Sequence, residues 1–132
     1  TYSVVKSQQD IELSAIQILD KLTRDIRDTT GVITGTFNVP QGSISLSITN
    51  DSITDTYLYT NASGTVKVFK NGTYLGNLSQ TGIYVNNFTL RQVVGSTVAA
   101  DAIKIELDLQ ATPRYGTSTI NKKFYTTVQQ RN

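Results

Sequence analysis

The chain has 132 residues, a hydrophobic fraction of 38% and a formal net charge of +2. It is too short for two cores, and too apolar and too weakly charged for a disordered segment, so it describes one globular domain, residues 1–132. Cysteine, histidine, methionine and tryptophan are absent, which excludes thiol catalysis, disulfide frameworks, Cys/His zinc sites and imidazole acid–base chemistry.

The first element is an amphipathic helix, expected over about residues 7–30. In "DIELSAIQILDKLTRDIRDTTG", Ile11, Ala15, Ile18, Leu22 and Ile26 recur at spacings of three and four, and Leu19 widens the stripe. Asp20, Lys21, Arg24, Asp25 and Asp28 fall on the other side, where Asp20 with Arg24, Lys21 with Asp25 and Arg24 with Asp28 make i,i+4 pairs of opposite sign. The β-branched pair in "DTTG" weakens the helix, and Gly31 is suited to the left-handed residue that closes it. Gly35 to Gly42, with Pro40, is the one stretch resembling a linker, and it is too short to separate domains.

From about residue 36 to 130 the period becomes two. "SISLSIT" sets Ile44, Leu46 and Ile48 against serines. "TDTYLYT" and "GTVKVFK" follow across the turn-prone "NASG", and Asn71-Gly72 in "VFKNGTYL" supplies the positive φ angles of a tight hairpin. "GIYVNNFTLRQV" and "DAIKIELDLQA" continue; in the latter Ile103, Ile105, Leu107 and Leu109 face inward while Lys104, Glu106 and Asp108 face out. "TPRYGTSTINK" reads as a loop and "KFYTTVQQ" as the last strand. The expected fold is α+β, one long N-terminal amphipathic helix packed on antiparallel sheet of six or seven strands.

Chemistry is sparse in this pattern. The basic residues are scattered rather than clustered, which argues against a nucleic-acid surface. No nucleophile elbow and no phosphate-cradling glycine loop occurs. Glu106 and Asp108 read as solvated strand residues rather than a hydrolytic pair, so no catalytic or cofactor-binding residue is assigned. "TNDSITDT" gathers hard oxygen donors, with Asp51 and Asp55 the calcium candidates, but without the spacing or glycine of an EF-hand; a turn is the plainer reading. The triplets beginning at Asn50, Asn61, Asn71, Asn77 and Asn87 have the glycosylation pattern, which a Ser/Thr-rich chain also produces by composition. Tyr57 and Tyr59 share one side of a strand, which allows a sugar-binding face, although tyrosine is a common packed strand residue.

"LDKLTRDIRDTTGVI", then "VFKNGTYLGNLSQTGIYVNNFTLRQV", "AIKIELDLQA" and the closing "FYTTVQQRN" together resemble the type IV pilin-like proteins. The pattern is most similar to the J-type minor pseudopilins of type II secretion and the related minor pilins of type IV pili. The resemblance implies a structural subunit held in the inner membrane by an apolar helix upstream of Thr1, with its globular domain outside the cytoplasm, in the cell envelope or an assembled fibre. Its partners would be other pilin or pseudopilin subunits, with no small-molecule substrate, no nucleic acid and no cofactor. On this reading a helix that opens the sequence abruptly is what remains when the apolar half is removed. The working residues are then contacts on the charged side of the helix: Asp20, Lys21, Arg24, Asp25, Arg27 and Asp28, with Arg24 and Arg27 the foremost cations. The alternative is an extracellular β-rich module that recognises carbohydrate or a surface partner through Tyr57, Tyr59 and the loops; a pilus-tip role in DNA uptake rests on the positive charge alone.

Overall fold

The computed structural model describes residues 2–30, 33–80, 82–93, 102–111 and 119–130. One helix, α1 (Tyr2–Asp28), precedes eight strands: β1 (Thr34–Thr36), β2 (Ser43–Asn50), β3 (Ile53–Ala62), β4 (Thr65–Lys70), β5 (Thr73–Asn77), β6 (Ile83–Val93), β7 (Ala102–Ala111) and β8 (Ile120–Gln129). They form two antiparallel sheets, β1-β2-β3-β4-β5 and β6-β7-β8, so the architecture is α+β as the period change required.

Three boundaries differ from expectation. α1 begins at Tyr2 rather than near residue 7, because "YSVVKSQQ" holds no glycine or proline and each residue added to an existing helix gains a hydrogen bond. It ends at Asp28, where Thr29 N–H donates to the Ile26 carbonyl at 3.2 Å and tightens the last turn; the expected role of Gly31 lies outside the described residues. The strand count exceeds six or seven because the short β1 pairs with β2, Thr34 opposite Ser45 and Thr36 opposite Ser43. β8 starts at Ile120, within the stretch read as loop.

Sheet β1–β5 is a simple meander made possible by its turns. Asp51-Ser52, Ser63-Gly64 and Asn71-Gly72 each place two successive residues at positive φ, between +51° and +85°, and each joins strands whose flanking residues are paired: Asn50 with Ile53, Ala62 with Thr65, Lys70 with Thr73. Two-residue turns of this hand match the twist of antiparallel strands, so each hairpin fixes its own register. Gly64 is further constrained by packing: a Cβ there would lie 2.2 Å from the Tyr84 ring.

The core is a single cluster. Ile11, Ala15, Ile18, Leu22 and Ile26 of α1 are buried together with Ile103, Ile105, Leu107 and Leu109 of β7, as the two periodicities predict. α1 lies along β7 and β8, touches β6, and reaches β2 of the other sheet. Each buried Ile or Leu contributes about 1.5–3 kcal/mol relative to exposure, so this seam is the main attachment of the helix. The two sheets share this core and are also joined through backbone. Asn38 N–H donates to the Leu90 carbonyl at 2.8 Å, Phe88 N–H to the Pro40 carbonyl at 2.8 Å, and Gly42 N–H to the Phe88 carbonyl at 3.0 Å, so the stretch resembling a linker is stitched along β6.

Candidate functional site

The charged flank of α1 was the expected contact surface, and the fold divides it. Asp20, Arg24, Arg27 and Asp28 are exposed. Asp25 is not: it is 7% exposed and faces β3, a correction to its assignment as an outer contact residue. Helical geometry explains the difference, since Asp25 lies only one turn from Leu22 and beside Ile26, at the margin of the apolar stripe rather than opposite it. Of the expected pairs, Lys21 with Asp25 closes, Lys21 Nζ standing 2.9 Å from Asp25 Oδ2.

A buried polar contact forms where the helix margin meets β3. The Tyr59 hydroxyl donates to Asp25 Oδ2, and Tyr59 itself has no solvent exposure. Lys21 Nζ sits 5.3 Å from the Tyr57 ring centroid and 6.0 Å from that of Tyr59, while Lys70 Nζ stands 5.9 Å from the Tyr57 centroid. Burial pushes the Tyr59 phenol well above its usual range, and its hydrogen bond to the Asp25 carboxylate and that carboxylate's charge push it further in the same direction. The charge on Asp25 is thus compensated by a cation and a neutral donor, the arrangement that makes a buried carboxylate tolerable.

This contact corrects the idea of a sugar-binding face made by Tyr57 and Tyr59. They do share one side of β3, but it is the side turned toward the helix: Tyr57 lies opposite Leu46, and Tyr59 opposite Ile44 and Val68. Alternation showed that they were neighbours. It could not show which face of the strand the helix would cover.

The calcium candidates are placed by the hairpins. Asp51 is the first residue of the β2–β3 turn and is exposed at its tip. Asp55 sits on the adjoining strand, where it accepts from Asn71 Nδ2 at 3.0 Å and pairs with Lys70 at 3.8 Å. Among the described residues no three acidic side chains come together in a metal-binding group. On the outer side of β7, Glu106 accepts from Arg91 Nε and Nη2 at 3.2 and 3.3 Å, while Asp108 lies opposite Asn87 and Lys123. Of the glycosylation-pattern asparagines, Asn61 is buried at the junction of the sheets, its side-chain amide directed at the Pro40 and Val85 carbonyls.

Sequence reasoning missed a cleft of about 460 Å³ between α1 and β8, with Ala15, Ile16, Leu19 and Phe124 on its apolar wall and Asp20, Thr23 and Thr126 on its polar side. The ion pair of Glu12 with Lys122 bridges it. The inward positions of β8 held the signal, because Lys122 and Thr126 break an otherwise apolar alternation with Ile120, Phe124 and Val128. Comparison with protein-family models, curated proteins and solved structures found no match to this chain.

Proposed function

We propose that the chain is the globular part of a structural subunit of a type IV pilin-like fibre, a minor pilin or pseudopilin that acts through protein–protein contacts in assembly or at the tip. On this reading an apolar helix upstream anchors the subunit in the inner membrane, and the domain works outside the cytoplasm with other subunits of the same kind. The observation that supports it is the helix itself. The first buried position of α1 among the described side chains is Ile11, and the helix keeps Val5, Leu13 and Ile16 about half exposed, Ile16 beside the cleft with β8. A helix that serves only its own domain needs one apolar side; this one has apolar residues left over for a neighbour. Arg24 and Arg27, exposed farther along, supply the cations of the same contact surface, whereas Asp25 and its partner Lys21 belong to the internal contact with β3.

The test is charge reversal in the full-length protein. Arg24→Glu with Arg27→Glu abolishes or sharply reduces incorporation into the fibre, while the melting temperature of the isolated domain stays within about 2 °C, since exposed substitutions of this kind change stability by under about 0.5 kcal/mol. Normal assembly by that variant refutes the assignment of this surface.

A further inference from the structure

The outward side of sheet β1–β5 is rich in hydroxyls. Register places Thr36, Ser43, Thr60, Lys67 and Asn77 in one row across the sheet, and Ser47 beside Thr56 in another. Thr49 and Thr54 make a third, their Oγ1 atoms 2.8 Å apart, and Thr30 Oγ1 donates to Thr49 Oγ1 at 3.1 Å. Between the first two rows runs a different one. Thr34 and Ser45 lead into Leu58, Phe69 and Tyr74, where the Phe69 and Tyr74 rings stand 5.5 Å apart at a tilt of 53°. Lys67 is the single charged side chain with outward parity on these strands. Tyr74 is 49% exposed and Thr56 is exposed, while Leu58 and Phe69 are half-buried.

We propose that this face binds a neutral polysaccharide chain, its sugar rings lying on the Leu58–Phe69–Tyr74 strip and its hydroxyls bonding Ser43, Thr60 and Asn77 on one side and Ser47 and Thr56 on the other. The chemistry selects the ligand. Each Ser or Thr hydroxyl both donates and accepts, as each sugar hydroxyl does, so the two surfaces satisfy one another without fixing a charge. The apolar strip spans three strands, about 10 Å, and offers the exposed aromatic surface that the C–H side of a pyranose covers. A nucleic acid requires a field of cations, which Lys67 alone does not supply. A protein partner is matched poorly by a face whose apolar part is one row wide, because interface centres are enriched in aromatic residues and arginine and depleted of serine. The site is separate from the half-buried Tyr57 and the buried Tyr59 and from the exposed side of α1, and it does not depend on the fibre reading.

The experiment measures depletion of the protein from solution by insoluble cellulose and chitin, and its retardation in gels containing soluble xylan, with polygalacturonate as the anionic comparison. Sedimentation velocity is run in parallel on the same samples. Wild-type protein is held by at least one of the neutral polymers, and Tyr74→Ala and Thr56→Asp each weaken retention at least fivefold while their melting temperatures confirm folding. Retention on none of the three neutral polymers overturns the proposal. Equal retention of wild type and both variants overturns it too, as does preference for polygalacturonate. Self-association that Thr56→Asp abolishes, in the absence of polymer binding, gives the face to a second copy of the chain and overturns it as well.

Discussion

Tyr59→Phe removes one hydroxyl from the contact between α1 and β3 and leaves the ring packed where it is. Asp25 then keeps Lys21 at 2.9 Å but loses its buried donor. A hydrogen bond to a charged group is worth about 1.5–3 kcal/mol. Taking about 2 kcal/mol, and an unfolding entropy of about 2.1 cal/mol/K per residue, the melting temperature falls by about 7 °C for a chain of this length. The same hydroxyl gives a signature that packing alone cannot imitate. Because burial and Asp25 hold the Tyr59 phenol above its unfolded pKa of about 10, the native state keeps a proton that the unfolded chain releases in alkali. The contribution is fully present below about pH 10 and is lost above it at about 1.36 kcal/mol per pH unit until the native phenol also ionises. Urea denaturation followed by circular dichroism between pH 9 and 11.5 therefore shows a steeper loss of stability in wild type than in Tyr59→Phe, the two curves converging as pH rises. Parallel curves refute the argument, since the two proteins differ in ionisable groups only at residue 59.

Gly42→Ala sets a Cβ 2.5 Å from the Phe88 carbonyl oxygen and disturbs the two backbone hydrogen bonds that Gly42 makes, to Phe88 and from Asn61. A loss on the order of 2–3 kcal/mol is expected, with faster amide hydrogen exchange at residue 42 and Asn61; a variant as stable as wild type contradicts it. Gly64→Ala combines a positive φ of 78° with the Tyr84 ring and costs about 1–2 kcal/mol, of which the ring's share disappears when the change is made in a Tyr84→Ala background; additive single effects in that cycle refute the steric part.

The legible parts of the fold were those carried by period and turn chemistry. The stripe Ile11, Ala15, Ile18, Leu22 and Ile26 is buried as read, the inward set of β7 likewise, and Asn71-Gly72 makes the hairpin its residue types demand. The parts that were not legible depend on which surfaces meet. Asp25 satisfies the pattern of a solvated i,i+4 pair with Lys21 just as well as it satisfies a buried contact, and only the arrival of β3 at the helix margin decides between them. Tyr59 is the same case from the other side. β1 escaped notice because a three-residue strand containing glycine carries no alternation to detect; its partner supplies the register. The hydroxyl face was visible only as Ser and Thr content, since rows across a sheet exist only once five strands are in register.

Both sheets contribute to one apolar core, but they differ in the directional bonds added to it, and this bears on what each surface is free to do. Sheet β6–β8 holds α1 by apolar burial, which is non-directional and tolerates small shifts of the helix along its seat. Sheet β1–β5 shares that apolar core through Ile44, Leu46, Tyr59, Val66 and Val68 and adds directional bonds at defined atoms: the Tyr59–Asp25 contact, the donors of Thr30 to the Ser47 carbonyl, and the stitch of residues 38–42 along β6. Directional bonds fix orientation, so the outward face of the five-stranded sheet is held at a set angle to the helix axis. In a fibre whose subunits meet through their helices, every copy of the hydroxyl face would then point the same way relative to its core. The apolar seam absorbs strain from neighbours while the polar contacts preserve presentation, so weakening the Tyr59–Asp25 bond should disturb the second property before the first.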